Sequence, residues 1–125
     1  MSVELKAKIW LETSGEKIFG DGPCDILKRV ERTGSLRQTA AEINMSYSQA
    51  WKLIRMIENN LGFAVLEKQA GGAGGGHSNL TPRAAKLTRA YDQFRSEAEV
   101  NLMQLYSKHL SSIFDSKGTA KQKRG

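Results

Sequence analysis

The chain has 125 residues, 39% of them hydrophobic and 26% charged, and a formal net charge of +6. That length suits one domain, or one domain plus an appendage, and it buries enough surface for a core without staples. A single cysteine, Cys24, excludes an internal disulfide and a thiolate metal cage, and no apolar run approaches the ~20 residues of a membrane helix.

The opening segment from Met1 to Lys6 has no apolar run, so no secretory leader is expected and a reducing cytoplasm is the default location. Val3, Leu5, Ala7, Ile9 and Leu11 alternate with polar neighbours and Trp10, a period-two pattern that predicts a half-buried strand over residues 3–12. Thr13-Ser14-Gly15-Glu16 reads as a turn and Lys17 to Gly20 as a short returning strand. Residues 1–20 are therefore expected to form a β-hairpin. Asp21-Gly22-Pro23 opens a helix with an apolar face of Ile26, Leu27 and Val30, and Gly34 closes it.

Ser35 precedes Gln38 by three positions, and Ser46 precedes Gln49 by three. Both pairs match the capping box, in which the two side chains satisfy orphan helix amides reciprocally. The spacing predicts a short helix from Leu36 to about Ile43, a tight turn, and a second helix from Tyr47 to about Leu61 closed by Gly62. Ala40 is small enough for the two helices to cross closely. Asn44 stands where the turn needs positive φ. Ala50, Leu53, Ile54, Ile57 and Leu61 face inward, with Ile43 and Met45 closing the turn. At 100° per residue, Ser48, Lys52, Arg55 and Asn59 then face outward, with Gln49 and Met56 on one flank and Trp51 on the other.

Phe63 to Lys68 reads as a strand, five glycines fill residues 71–76, and Leu80 belongs to a returning strand. Thr81-Pro82 starts a last helix whose Leu87, Tyr91, Phe94, Ala98, Leu102 and Leu105 recur at steps of three and four. Continued from Pro82 to Phe114, that helix would be about 50 Å long. Its stripe would need a second surface, most simply another copy of the chain. The tail from Asp115 to Gly125 is expected to be a disordered basic extension.

Charge points the same way. Residues 35–89 carry Arg37, Lys52, Arg55, Lys68, Arg83, Lys86 and Arg89 against only Glu42, Glu58 and Glu67. A basic middle third suits a polyanion-binding face. The expected fold is mainly α with a small β component: an N-terminal β-hairpin, a winged helix-turn-helix over 21–81, and a dimerisation helix over 82–114. The expected DNA-binding residues are Ser35, Arg37, Ser46, Tyr47, Ser48, Gln49, Lys52 and Arg55 in the helical pair. Lys68, Gly74, Gly75 and His77 join them in the wing. The N-terminal residues of the second helix approach bases, and the glycines let backbone amides reach phosphates.

Gly71 to Ser78 also fits G-x-x-x-x-G-x-S, near a nucleotide-binding P-loop. His77 replaces the required lysine and no helix follows at once, so this reading is rejected. His77 and His109 lie far apart, and no nucleophile–base pair stands out. Cys24 reads as a small buried hydrophobe. No enzyme activity, metal or cofactor is expected.

The run from Gly34 to Trp51, with Ala40-Ala41 and Met45-Ser46-Tyr47-Ser48-Gln49-Ala50-Trp51, resembles the DNA-binding domain of the molybdate-responsive ModE family, a relative of the LysR-type winged helix. The glycine wing ending in Leu80-Thr81 is similar too. Asn44 stands where that family tends to have glycine. The resemblance implies a dimeric regulator of transcription that pairs through the long helix and sets Tyr47 to Lys52 in the major groove of double-stranded DNA. It is expected to lack the family's C-terminal oxyanion-binding modules, so a molybdate effector is not expected. Two other readings stay open: a protein-interaction module that docks through the long helix, and a small oxyanion-binding protein that uses the glycine loop.

Overall fold

The apolar faces of the first three helices meet one another, and that exchange builds the core of the fold. The computed structural model describes residues 2–67 and 77–115. In chain order these form β1 (Trp10–Thr13), β2 (Glu16–Gly20), α1 (Asp21–Thr33), α2 (Leu36–Glu42), α3 (Tyr47–Leu61), α4 (Pro82–His109) and α5 (Ser111–Phe114). The chain divides into two compact units, one of residues 9–92 and one that pairs the first eight residues with residues from 93 onward.

In the first unit, β1 and β2 form an antiparallel hairpin with Trp10 opposite Gly20 and Thr13 opposite Glu16. Ser14 and Gly15 take positive φ, the two-residue turn whose twist suits a hairpin. Ile18 has no partner in this register, which shifts between Leu11 and Glu12. The strand expected over residues 3–12 starts only at Trp10. Its partner ends at Gly20, where α1 begins, so earlier residues have no ladder to join.

The core gathers Phe19 from the hairpin, Cys24, Ile26, Leu27 and Val30 from α1, Leu36 and Ala40 from α2, and Ala50, Ile54 and Ile57 from α3. Val65, Leu66, Leu80, Ala84 and Tyr91 complete it. Gly34 and Gly62 cap α1 and α3 in the left-handed conformation at φ 71° and 83°. Asn44 adopts φ 54° in the turn between α2 and α3, as its position in the sequence demands.

The wing base is one antiparallel bridge, Leu66 with Leu80, flanked by Glu67 N–H to Asn79 carbonyl and Thr81 N–H to Val65 carbonyl bonds. Its expected tip, with Lys68, Gly74 and Gly75, lies outside the described residues. Ser78 ties the returning strand to the α1–α2 turn: its amide donates to the Gly34 carbonyl at 2.7 Å and its hydroxyl accepts from the Leu36 amide at 3.2 Å. The residue that a P-loop would offer to a metal ion is thus buried and engaged.

Helix α4 ends at His109 rather than running to Phe114. The Ser111 hydroxyl donates to the Ser107 carbonyl at 2.9 Å, taking an acceptor that a continuing helix would use. In the second unit, Arg95 donates to the Ala7 carbonyl at 3.2 Å. There a groove of about 450 Å³ runs among Leu5, Ala7, Arg95, Glu99, Val100, Leu102, Met103 and Gln104. Among the described residues no helix is long and apolar enough to cross a membrane.

Two expectations follow. Ser78→Ala strands the buried Leu36 amide and should cost about 1–3 kcal/mol in chemical denaturation; a loss below half a kcal/mol would mean water replaces the hydroxyl. Burial, reinforced by Asp92, pushes the Cys24 thiol up from 9.0 to about 11. The folded state therefore holds this proton more tightly than the unfolded chain. Its stabilisation is complete below the unfolded pKa and fades as pH rises from 9.0 through about 11. At pH 8, Ellman's reagent should label Cys24 only after denaturant is added.

Candidate nucleic-acid interface

Helix α3 is fixed at its start by a complete capping box. The Ser46 hydroxyl accepts from the Gln49 amide and the Gln49 side-chain oxygen accepts from the Ser46 amide, each at 3.1 Å. The matching pair at α2 closes only halfway. Ser35 accepts from the Gln38 amide at 3.0 Å, but Thr33 Oγ1 already accepts from the Ser35 amide at 3.1 Å. Thr33 also contacts the buried Thr39 hydroxyl at 3.1 Å. This local network displaces Gln38.

With Ala50, Ile54 and Ile57 buried, helical geometry turns Ser48, Gln49, Lys52 and Arg55 outward, and all four are exposed. Gln49 is less available than its sequence position suggests. Its oxygen serves the cap, so only the amide nitrogen remains, and reading adenine with both atoms requires both. Tyr47 and Trp51 are half-buried and packed against the core, and their rings meet edge to face at 6.3 Å. Arg37 of α2 lies 4.1 Å from the Tyr47 ring centre, which joins the first turn of α2 to the first turn of α3. His77 is exposed beside the wing base.

Charge is partitioned between faces. On α1, Lys28 pairs with Asp92, Arg29 with Asp25 and Glu42, and Arg32 with Glu42 at 2.6 Å, while Arg89 pairs with Glu31. The Arg32 hydrogen bond, helped by Arg29, holds the Glu42 carboxyl below its usual range. Among the described residues no ion pair engages Arg37, Lys52, Arg55 or Arg83. Glu58, the acidic residue of α3, turns away from solvent to accept the Val65 amide at 2.9 Å. The sequence marks the basic residues but hides this contact, because Val65 lies seven positions on.

The residues expected on a pairing stripe separate. Tyr91 is 5% exposed and belongs to the core of its own chain. Its ring meets Phe19 edge-on at 5.3 Å, and its hydroxyl lies 2.8 Å from Asp21 and 3.0 Å from the Ile9 carbonyl. Little of its surface is exposed. Leu87 packs against the same core, and Ala98 and Leu102 are half-buried. Phe94 and Leu105 are each 50% exposed, and Val100 and Met103 are exposed as well.

The model for the bacterial regulatory helix-turn-helix proteins of the lysR family matches residues 24–85, which hold most of α1, all of α2 and α3, and the wing base. The chain is 36% identical over 81 residues to the molybdenum-pterin-binding protein MopB of Rhodobacter capsulatus, covering 65% of this chain and 30% of that protein. It is 32% identical over 78 residues to the DNA-binding transcriptional dual regulator ModE of Escherichia coli K12, covering 62% and 30%. The crystal structure of ArgP from Mycobacterium tuberculosis aligns over 68% of this chain and 30% of that chain, with a TM-score of 0.49 and 20% identity. The chain spans 30% of the length of the two curated relatives just named.

The two caps differ in a way that calorimetry can read. Gln49→Ala should destabilise by about 0.5–1.5 kcal/mol because it frees the Ser46 amide. Gln38→Ala should stay within about 0.5 kcal/mol of the parent, as an exposed side chain without a cap contact. Equal losses would contradict the asymmetry.

Proposed function

For a chain that carries a LysR-type helix-turn-helix akin to that of the ModE regulators, we propose sequence-specific binding of double-stranded DNA by a homodimer that regulates transcription. The carrying observation is the outward face of α3: Ser48, Gln49, Lys52 and Arg55 exposed together, with neither cation in an ion pair among the described residues. A capped helix with that face supplies donors for base edges at its start and charge for phosphates beyond it.

In this reading α3 enters the major groove. Ser48 and Lys52 meet base edges, and Gln49 contributes its amide nitrogen. Arg55 and Arg37 meet phosphates, with Ser35 and Ser46 near the backbone and Tyr47 setting the approach. The wing, through Lys68, Gly74, Gly75 and His77, follows the backbone alongside. Phosphate neutralisation supplies most of the affinity and base contacts supply the discrimination. Two copies pair through the exposed apolar residues of α4, Phe94, Val100, Met103 and Leu105, and present two α3 helices to half-sites about one helical turn, ~34 Å, apart. No catalytic role is assigned to any residue.

In-vitro selection of bound duplexes tests binding, sequence preference and half-site spacing together. On the selected site, Lys52→Ala should lose about 1–3 kcal/mol of discrimination against a random duplex. Equal weakening on both duplexes would leave Lys52 as a phosphate contact only. Binding that ignores salt would instead favour a protein-interaction module. Light scattering should give twice the chain mass, and Leu105→Glu should halve it.

A further inference from the structure

The arginines of the first unit fall into two sets. Arg29, Arg32 and Arg89 end on carboxylates. Arg37, Arg55 and Arg83 end on aromatic rings: their guanidinium carbons lie 4.1 Å from the Tyr47 ring centre, 5.6 Å from Trp51 and 4.1 Å from Phe63. Among the described residues none of these three has a carboxylate partner. The two arrangements leave different chemistry behind. A carboxylate cancels the charge and occupies the donor fork. A ring attracts the flat cation through its face, so the charge persists and the N–H groups around the rim stay available.

We infer that Arg37, Arg55 and Arg83 are preset clamps for backbone phosphates, with Tyr47, Trp51 and Phe63 as their shelves. The inference deepens the duplex-binding reading and rests on it. Its new member is Arg83, which lies outside the helix-turn-helix, in the first turn of α4. Phe63 follows the Gly62 cap of α3, and Thr81 pins the adjacent backbone by donating its hydroxyl to the Ala64 carbonyl at 2.8 Å. Tyr47 opens α3 and Phe63 follows its end, so the Arg37 and Arg83 shelves bracket the 15-residue helix. A helix about 22 Å long that crosses a groove about 12 Å wide reaches a backbone wall at either end. The two clamps are therefore placed for opposite strands. Tyr47, Trp51 and Arg55 recur at steps of four along one edge of α3, and the edge-to-face contact of the two rings makes that row continuous with Arg37.

The test is a salt titration of the full chain against a labelled mixed-sequence DNA duplex, read by fluorescence anisotropy. Arg83→Ala should make the slope of log affinity against log salt shallower by about 1, the loss of one phosphate contact. Arg83→Lys keeps the charge, so the slope should hold while affinity falls. Phe63→Leu should do the same, with a loss of roughly threefold as the ring is withdrawn. Phe63 is half-buried, so a melting curve accompanies that variant; Arg83→Lys separates charge from geometry without touching the ring. Arg89→Ala, which removes an arginine already paired with Glu31, should leave the slope unchanged. An Arg83→Ala protein with the parental slope and affinity overturns the inference, as does Arg83→Lys with parental affinity. A parent chain that binds no duplex overturns the duplex-binding reading as well, so the two failures are told apart.

Discussion

The structure depends on one constraint: the burial of the Ala50, Ile54 and Ile57 face of α3. A helix with 3.6 residues per turn cannot bury that face without turning Ser48, Lys52 and Arg55 to the opposite side. Three local devices make the burial possible. Ala40 supplies a small side chain in the core where α2 and α3 pack. Asn44 supplies the positive φ that reverses the chain within the turn. The Ser46–Gln49 box supplies acceptors for the amides of Ser46 and Gln49 at the start of α3. The exposed face thus follows from how the core is packed.

Electrostatics then decides which surface remains cationic. The ion pairs of α1 are exposed, and pairs of that kind add little stability. Their larger consequence is neutralisation: Arg29 and Arg32 converge on Glu42, and Lys28 and Arg89 on Asp92 and Glu31. Glu58, which would otherwise offset the charge of α3, is turned inward to the Val65 amide. In a chain with a net charge of +6, Arg37, Lys52, Arg55 and Arg83, along α2, α3 and the start of α4, thereby have no ion-pair partner among the described residues. The field comes from placing the carboxylates elsewhere as much as from adding arginines.

What the sequence discloses and what it hides follow from the range of the forces involved. Helix starts and stops are local, so the bounds of α3, the Gly34 and Gly62 caps and the strained Asn44 are all legible from neighbours a few residues away. The hairpin was legible in kind but not in length, because alternation from Val3 to Leu11 cannot say where the partner strand runs out. Gln38 had the right spacing for a capping box, yet Thr33 reaches the same amide first. Tyr91 fits the helical stripe of α4, but only its contacts with Phe19, Asp21 and Ile9 show that its own core claims it. The Ser78 bonds to Gly34 and Leu36 span more than forty positions, and no pattern within a helix or strand encodes them.

Those long-range bonds also anchor the wing base. Ser78 joins the wing base to the α1–α2 turn, Glu58 joins it to α3, and Thr81 joins it to the Ala64 carbonyl while capping α4 through the Ala84 amide. The wing base is therefore fastened to the start of α2, the end of α3 and the start of α4 at once. Among the described residues the strand bridge alone gives the wing a single pair, Leu66 and Leu80, to fix its direction. Side-chain bonds from three elements do instead what a longer sheet does in other folds. They keep the outward face of α3, the wing base and Arg83 in one frame, so that a partner meeting one of these surfaces meets the others in fixed register.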